Sequence, residues 1–494
     1  MDLLTAVHGC TFDDFLLAPQ LSVVDRRDPA TIDLSARLTS GLTLKRPIVS
    51  ANMDTVTRAE MAIVMAEEGG IGIIDRGFRP GDIEPQVREV QKVKRTEHGV
   101  IPDPLTIAPD RPLVEARLMM DRSRVGTLVV VDGDWKLLGL LTERDLQFVT
   151  DLTAAVRDRM TPVNALVTHR GPATLDDAVR LMIEHKIKKL PLVDEAGTLV
   201  GLMTARDIRR QQRLPFATRD AHGRLRVGAA IGARGDFVER AAELVKAGVD
   251  VLVIDIAHGH SMVMERALVE VTKRFPQMDV IAGNVATADG AAFLADRGAA
   301  AVKVGIGPGG GCTTRLTTSF GVPQLEAVVA CARAVERRVS IIADGGIRRH
   351  GALAMALFCG ADTVMLGSAF AGTTEAPGDI VQKPVVVAES QKAVKVPFKV
   401  LRGMASIGAI KDRLDVEDAS AIDLQAIGAE GMEVSVALRG SARPVFQEMI
   451  KHLCSSISYG GGESLADVRR RVAADPGRYL IRLTDSSRRE SYER

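Results

Sequence analysis

The chain has 494 residues, and its 64 lysines and arginines balance its 63 aspartates and glutamates to a formal net charge of +1. This balance, with only 3 % aromatic residues, excludes a basic, base-stacking surface for nucleic acid and a strong electrostatic attraction to acidic membranes. Five scattered cysteines without metal-ligand spacing, and no signal-peptide or membrane-spanning pattern, lead us to expect a cytoplasmic protein.

An internal repeat follows the first 97 residues. Two copies of one pattern carry a glycine, a threonine and an aspartate at matching positions, namely Gly139, Thr142 and Asp145 in the first copy and Gly201, Thr204 and Asp207 in the second. A fixed internal period indicates a repeated supersecondary unit. We therefore predict an insert at 98–212, with copies at about 98–155 and 156–212, between two parts of another domain at 1–97 and 213–494.

Beyond the insert, short β-branched runs alternate with helical patterns. The predicted strands are 251–255, 280–284, 301–304, 340–344 and 363–367. Strands this apolar are buried on both faces, as in a parallel sheet covered by helices. A polar residue or a glycine ends each of them, which favours an α/β (βα)₈ TIM barrel over the alternative, a doubly wound sheet.

The glycine-rich segment 305–315 contains a single cysteine, Cys312. Glycine permits positive φ and close approach of the backbone to a ligand. A nucleophilic thiol that reaches a flat substrate needs such a loop, whereas a buried structural cysteine does not. The alternative is an ordinary glycine-rich turn that happens to hold a cysteine.

Motifs at 11–19, 47–57, 281–287, 344–347 and 402–406 make the chain resemble the inosine-monophosphate dehydrogenase and guanosine-monophosphate reductase family over essentially its whole length. The insert resembles a tandem CBS (Bateman) pair, a regulatory module that senses adenosyl nucleotides. This resemblance implies that Asp145 and Asp207 accept hydrogen bonds from the ribose of an effector such as ATP or GTP. In the alternative, Thr142 and Thr204 only cap helices and the module binds nothing.

The family resemblance also implies a covalent mechanism. Cys312 would attack carbon 2 of the purine of a mononucleotide substrate, and hydride would pass between this adduct and NADPH or NAD. Thr314 and Glu430 would form a proton relay beside the reacting carbon. Without the resemblance, the preferred interpretation of Glu430 is a solvated carboxylate on the surface.

Binding roles follow from the same resemblance. The expected substrate contacts are Ser50, Met53, Asp344, Gly346, Gly367, Ser368, Gly403 and Met404. Among these, Asp344 would bind the ribose, while Gly346, Gly367 and Ser368 would hold the phosphate. Asp255, Asn284 and Gly305 would contact the nicotinamide cofactor. Backbone carbonyls of Gly307, Gly309 and Cys312 would suit a monovalent cation such as K⁺.

Three departures from the family pattern bear on the direction of the reaction. Gly310 and Leu401 replace a serine and a tyrosine that contact phosphate. Leu414 follows Arg413 where dehydrogenases carry an Arg-Tyr pair that activates water. We therefore expect a GMP reductase that uses NADPH. The alternatives are an IMP dehydrogenase using NAD, which the insert favours, and a catalytically decayed regulatory protein. The family forms homotetramers that pair into octamers, and we expect the same here.

Overall fold

The structure is a computed structural model that describes residues 2–96, 100–101, 104–123, 125–171, 175–205, 214–386, 393–413 and 429–492. The chain divides into two compact units. The larger joins residues 1–96 with 216–494, and the smaller comprises 97–215. The larger unit is thus assembled from two separated parts of the sequence.

Eight parallel strands close into a barrel in the larger unit. They are β1 (Ile48–Ser50), β2 (Ile71–Ile74), β3 (Gly228–Ile231), β4 (Val251–Asp255), β5 (Val280–Val285), β6 (Ala301–Val304), β7 (Ser340–Asp344) and β8 (Thr363–Leu366). Each strand pairs with the next one in sequence, and β8 pairs with β1 to close the ring. The prediction of a (βα)₈ barrel is confirmed, and the apolar strands are buried almost throughout because helices cover their outer side.

Helices alternate with the strands and cover the barrel. They are α1 (Ala59–Glu67), α2 (Glu84–Arg95), α3 (Phe237–Lys246), α4 (Met262–Arg274), α5 (Ala288–Asp296), α6 (Gln324–Val335), α7 (His350–Phe358) and α8 (Ala442–Tyr459). Side-chain caps fix some of their starts: the hydroxyl of Ser261 accepts from the amide of Met264, and that of Thr287 accepts from Gly290. The side chains of Phe358 and Phe446 are fully enclosed where α7 and α8 pack together.

Additional elements surround the barrel. A three-stranded antiparallel sheet comprises Val381–Val386, Ala393–Arg402 and Glu433–Ala437, and Phe15–Leu17 pairs with Leu480–Arg482. Two short strands, Ala36–Arg37 and Thr43–Leu44, form a hairpin. The remaining helices among the described residues are Leu3–Ala6, Phe12–Asp14, Thr314–Thr318, Ser368–Ala371, Ile407–Arg413, Leu465–Ala474, Pro476–Tyr479 and Asp485–Tyr492. The strand Ala393–Arg402 leads directly into residues 403–406, which face the carboxyl ends of the barrel strands.

The smaller unit contains two four-stranded sheets. One has the spatial order Thr161–Pro162, Leu137–Thr142, Thr127–Val131, Thr106–Ile107, and the other His169–Arg170, Lys189–Val193, Leu199–Thr204, Val100–Ile101. Its helices are Leu113–Ser123, Glu143–Leu146, Val156–Asp158, Val163–Ala165 and Leu175–Glu184. The central hairpins share one register, since Thr127 faces Thr142 just as Lys189 faces Thr204. The sequence repeat therefore corresponds to two copies of one supersecondary unit.

Across the described residues, we find no helix that combines the length and the apolar character needed to cross a membrane.

Candidate active site

A cavity of about 360 Å³ opens at the carboxyl ends of the barrel strands. Loops that follow six of the strands contribute to it, and residues 403–405 and Glu430 complete its wall. The predicted site residues that line it are Met53, Asp255, Asn284, Gly305, Gly307, Gly309, Cys312, Thr314, Asp344, Gly346, Gly367, Ser368, Gly403, Met404 and Glu430. The closed barrel brings these residues together because the carboxyl ends of its parallel strands lie on one face.

Close backbone contacts account for two glycines of the 305–315 loop. Gly305 has a φ of 152°, and a Cβ there would lie 2.1 Å from the carbonyl oxygen of Asp344. A Cβ on Gly311 would lie 2.9 Å from the backbone nitrogen of Gly403. Any side chain at either position would separate the loop from the strands and from residues 403–406. The glycines thus seat the cysteine loop against the rest of the site.

Cys312, Thr314 and Glu430 form a continuous chain of polar contacts. The Cys312 Sγ lies 3.1 Å from the Thr314 Oγ1, which donates to the Glu430 Oε2 at 2.7 Å. Because Thr314 has one hydroxyl proton and directs it to the carboxylate, the thiol proton points at the Thr314 oxygen. The arrangement can carry a proton from the thiol to Glu430.

The backbone holds this chain of contacts in place. The amide of Thr313 donates to the carbonyl of Glu430 at 2.9 Å, and the amide of Met432 donates to the carbonyl of Gly311 at 2.9 Å. Cys312 and Gly431 therefore face each other as an antiparallel bridge. The segment that carries Glu430 is fixed to the cysteine loop although more than a hundred residues separate them in sequence.

Burial distinguishes Cys312 from the other four cysteines. Cys312 is half-buried and opens to the cavity, whereas Cys10, Cys331, Cys359 and Cys454 are buried. Burial raises the pKa of Cys331 and of Cys359 to about 12, so these thiols stay protonated at neutral pH. Among the cysteines, Cys312 is the one placed to act as a nucleophile.

A buried lysine that the sequence analysis missed connects three predicted site residues. The Nζ of Lys303 lies 2.8 Å from the Asp344 Oδ2 and 3.5 Å from the Asp255 Oδ2, and it also donates to the Asn284 Oδ1. Burial by itself lowers the pKa of Lys303, but the two carboxylates outweigh it and the pKa is raised. Burial likewise raises the pKa of Asp255, but the charges of Lys303 and Arg76 outweigh it and that pKa is lowered. The ion pairs thus keep both groups charged.

Asp344 presents a free oxygen to the cavity. The side-chain amide of Asn284 donates to the Asp344 Oδ2 at 2.9 Å and to the carbonyl of Gly305 at 2.8 Å. Lys303 contacts the same Oδ2, and within the described part of the chain the other oxygen, Oδ1, makes no hydrogen bond. An oriented carboxylate with one oxygen available suits a ligand that carries hydroxyl donors.

Four further lining residues went unrecognised in the sequence: Asn52, Arg76, Lys303 and Arg348. The side-chain amide of Asn52 donates to the Asp255 Oδ2. The signal for Lys303 was available, because a lysine in the centre of the apolar strand β6 is rarely buried without partners. Asn52 and Arg76 lie two residues beyond the ends of β1 and β2, and Arg348 lies four residues beyond the end of β7.

Ser50 differs from the other predicted substrate contacts in that it does not line the cavity. Ser50 ends β1, is fully buried, and its Oγ lies 2.9 Å from the donating hydroxyl of Thr57, so it does not line the cavity. Because the chain reaches the barrel mouth only after the strand has ended, the following residues Ala51, Asn52 and Met53 line the cavity instead.

The predicted effector residues lie in the smaller unit. The Asp145 Oδ2 accepts from both the amide and the hydroxyl of Thr142, each at 2.7 Å, so this aspartate closes a capping box at the start of Glu143–Leu146. Asp207 lies outside the described residues, as does Leu414.

The departures at 310 and 401 have different structural settings. A Cβ on Gly310 would meet nothing within 4 Å, so crowding does not explain the absence of a serine. Leu401 is 3 % exposed and lines the cavity.

The three carbonyls expected to hold a cation belong to the cysteine loop, and that of Gly309 accepts from the amide of Cys312 at 3.1 Å. Carbonyl oxygens suit a hard cation, and the K⁺ site stays a prediction.

Comparison with known proteins agrees with the fold. A family model described as the IMP dehydrogenase / GMP reductase domain matches residues 9–493. An inosine-5′-monophosphate dehydrogenase from Aquifex aeolicus (strain VF5) is 42 % identical over 488 residues, which cover 98 % of this chain and 95 % of the relative. The enzyme of that name from Bacillus subtilis (strain 168) is 41 % identical over 492 residues, with the same coverage of both chains.

Solved structures of a GMP reductase also match nearly the whole length of this chain. A cysteine-to-alanine variant of GMP reductase from Trypanosoma brucei, in complex with guanosine 5′-monophosphate, superposes with a TM-score of 0.84 at 38 % identity and covers 98 % of this chain and 97 % of its own. The Trypanosoma brucei enzyme in complex with guanosine 5′-triphosphate gives a TM-score of 0.75 at 35 % identity, with coverage of 96 % and 98 %. The chain therefore belongs to the IMP dehydrogenase / GMP reductase family, whose members are oxidoreductases that use a nicotinamide cofactor.

Proposed function

We propose that this protein is a GMP reductase, which converts GMP to IMP and ammonia with NADPH as the hydride donor. The observation that carries the proposal is the contact chain from Cys312 through Thr314 to Glu430 at the mouth of the barrel. It supports covalent chemistry at a purine carbon, with a proton route attached to the nucleophile.

The proton balance of the reaction fits this chain of contacts. The thiol proton passes through Thr314 to Glu430, and the Cys312 sulfur bonds to carbon 2 of guanine. The bond from that carbon to the amino group breaks, and the leaving amine takes the proton from Glu430 to depart as ammonia. NADPH, when bound, supplies the hydride that replaces the amine at carbon 2. The carbon–sulfur bond then breaks, IMP is released, and solvent reprotonates Cys312.

A second cavity offers room for the rest of the dinucleotide. It has a volume of about 400 Å³ and shares Arg76 and Ile256 with the first cavity. Arg234, His258 and Ser261 also line it. Two arginines beside one cavity favour a ligand with several phosphates, and a 2′-phosphate would add to that attraction. We therefore propose that the adenosine half of NADPH binds in this cavity and that Asp255 and Asn284 contact the nicotinamide half.

The sequence around Leu414 supports the reductive direction. Oxidation of IMP ends in hydrolysis, which requires a group that activates water, and Leu414 has no proton to exchange where the dehydrogenase pattern has tyrosine. Release of ammonia and hydride transfer need no such group.

The second candidate function is IMP dehydrogenase, converting IMP, NAD and water to XMP and NADH. The names of the relatives from Aquifex aeolicus and Bacillus subtilis favour it. The insert no longer separates the two candidates, because the Trypanosoma brucei GMP reductase covers 98 % of this chain at a TM-score of 0.84.

We also propose that the insert is a tandem CBS pair that binds a purine nucleotide effector. The shared register of its two hairpins supports the tandem arrangement. A structure of the Trypanosoma brucei GMP reductase contains guanosine 5′-triphosphate, which makes GTP the first effector to try.

An assay of GMP and IMP against reduced and oxidised cofactors tests the proposed reaction. We expect GMP-dependent loss of NADPH with one ammonia released for each NADPH consumed, and no steady formation of XMP. Cys312→Ser should abolish turnover while leaving the melting temperature unchanged, because this residue is half-buried in a loop. Cys10→Ala, which changes a buried cysteine that does not line the cavity, should retain activity. XMP formation from IMP and NAD without GMP-dependent NADPH loss would establish the dehydrogenase instead.

A further inference from the structure

Two imidazole rings meet where α7 packs against α8, and neither residue lines the cavity. His350 is the first residue of α7, and His452 lies on α8. The ring centroids are 4.6 Å apart with an angle of 28° between the ring planes. Glu448 precedes His452 by one helical turn, so both side chains project from the same face of α8.

The three side chains bring their donor atoms close together. One nitrogen or oxygen from each lies within 4.8 Å of the others, and the His452 Nε2 is 3.8 Å from the Glu448 Oε1. Ligands of a tetrahedral Zn²⁺ ion at about 2.0–2.1 Å would be separated by about 3.4 Å. The side chains of Glu448 and His452 are 61 % and 54 % exposed, so they can rotate by the ångström or so that this requires.

From this geometry we infer that His350, Glu448 and His452 form a binding site for a divalent transition metal ion, with Zn²⁺ as the best match. Two imidazoles and one carboxylate are a ligand set that Zn²⁺ accepts, with water in the fourth position. The inference is independent of the proposed reaction, because none of the three residues lines the cavity.

The electrostatic surroundings favour an ion at this position. His350 and His452 meet ring to ring, with centroids 4.6 Å apart, so both imidazoles face the same small volume. The adjacent cation, Arg349, is directed elsewhere: it pairs with Asp13, and its guanidinium lies 3.5 Å from the centre of the Tyr492 ring. Glu448 supplies a negative charge that offsets part of the charge of the metal.

A bound ion would link two elements of the barrel unit. It would fix the first turn of α7, which follows the 345–349 loop directly, to the middle of α8. Because the ion binds the folded protein, Zn²⁺ should raise the melting temperature.

The test is calorimetric titration of Zn²⁺ into tag-free, chelator-stripped full-length protein. The Cys312→Ser background removes the accessible thiol, which would otherwise bind the metal. We expect one tight Zn²⁺ equivalent per chain and a higher melting temperature. His452→Ala should weaken binding at least about tenfold, because only two ligands remain, and His350→Asn should do the same. Alanine is a good helix former, so His452→Ala should preserve α8.

His222→Ala is the matched control, since it removes an exposed histidine elsewhere. It should leave affinity and stoichiometry unchanged. The inference is overturned if no tight equivalent is found, or if the tight equivalent survives both His452→Ala and Glu448→Gln with unchanged affinity.

Discussion

Thr314 acts through its two neighbours. Its hydroxyl lies between a thiol at 3.1 Å and a carboxylate at 2.7 Å, so it connects a nucleophile with a proton acceptor. The hydrogen bond from the backbone amide of Thr313 to the carbonyl of Glu430 keeps these distances fixed. One side chain therefore decides whether the thiol has a route for its proton.

Removing either member of this relay should slow the chemical step. We expect Thr314→Val and Glu430→Gln each to lower kcat by about 10²- to 10⁴-fold with a small change in the KM for GMP, because proton transfer is lost and nucleotide contacts remain. The double variant should be little slower than either single one, since both break one route. Steady-state kinetics with Glu239→Gln, an exposed carboxylate on α3, as control would check this. Additive losses would contradict a shared relay.

Lys303 has a different role, because its buried ammonium group neutralises two partly buried carboxylates. Lys303→Met would leave Asp255 and Asp344 close together without their shared cation. Breaking a buried pair in this way costs about 3–5 kcal/mol. Urea unfolding should show a loss of that size, whereas Lys273→Met, on the exposed side of α4, should change the free energy of unfolding little. A loss below about 1 kcal/mol would mean that the carboxylates do not depend on Lys303.

At the scale of elements, the end of strand β2 determines the ionisation of the residue that follows it. Asp75 follows β2 directly and is fully buried beside Arg58 and the amide of Gly77. Burial raises its pKa from 3.8 to about 6, and the partial compensation by Arg58 is smaller. The next residue, Arg76, lines both cavities.

This raised pKa predicts how stability depends on pH. The folded state favours protonated Asp75, so its stabilising contribution is complete below pH 3.8 and is lost as the pH rises through 6. Between pH 4.5 and 7, wild-type protein should lose about 2 kcal/mol of unfolding free energy relative to Asp75→Asn. The curve of unfolding free energy against pH for Asp82→Asn, which changes an exposed aspartate, should run parallel to that of wild type. If the curve for Asp75→Asn also ran parallel to that of wild type, the carboxyl group of Asp75 would not titrate in this pH range.

At the scale of the whole molecule, the sequence repeat forms a unit of its own, and we expect that unit to bind a nucleotide. GTP or ATP should raise the melting temperature of the full-length protein, and Asp145→Asn should reduce this shift because a ribose acceptor is lost. Asp158→Asn is a matched control, since Asp158 caps a helix in the same unit by accepting from the amide of Ala155. Equal shifts in both variants would indicate that Asp145 serves only as a cap.

The sequence by itself determined the barrel, the insert, the family and the presence of a glycine-rich loop that carries Cys312. Each can be recognised from residues that are close together in the sequence. These are apolar strands of the right length, a repeated Thr-x-x-Asp, and a glycine-rich loop that contains a cysteine. Such patterns can be recognised without a structure, because hydrophobic period and composition are properties of residues that are neighbours in the sequence.

The tertiary structure decided what depends on distant residues meeting. It placed Lys303 between two carboxylates from other strands, moved the contact expected of Ser50 to the residues that follow β1, and joined His350 to a helix that begins about ninety residues later. Burial and charge at such points depend on which strand ends and helix faces come together, and closure of the barrel settles this.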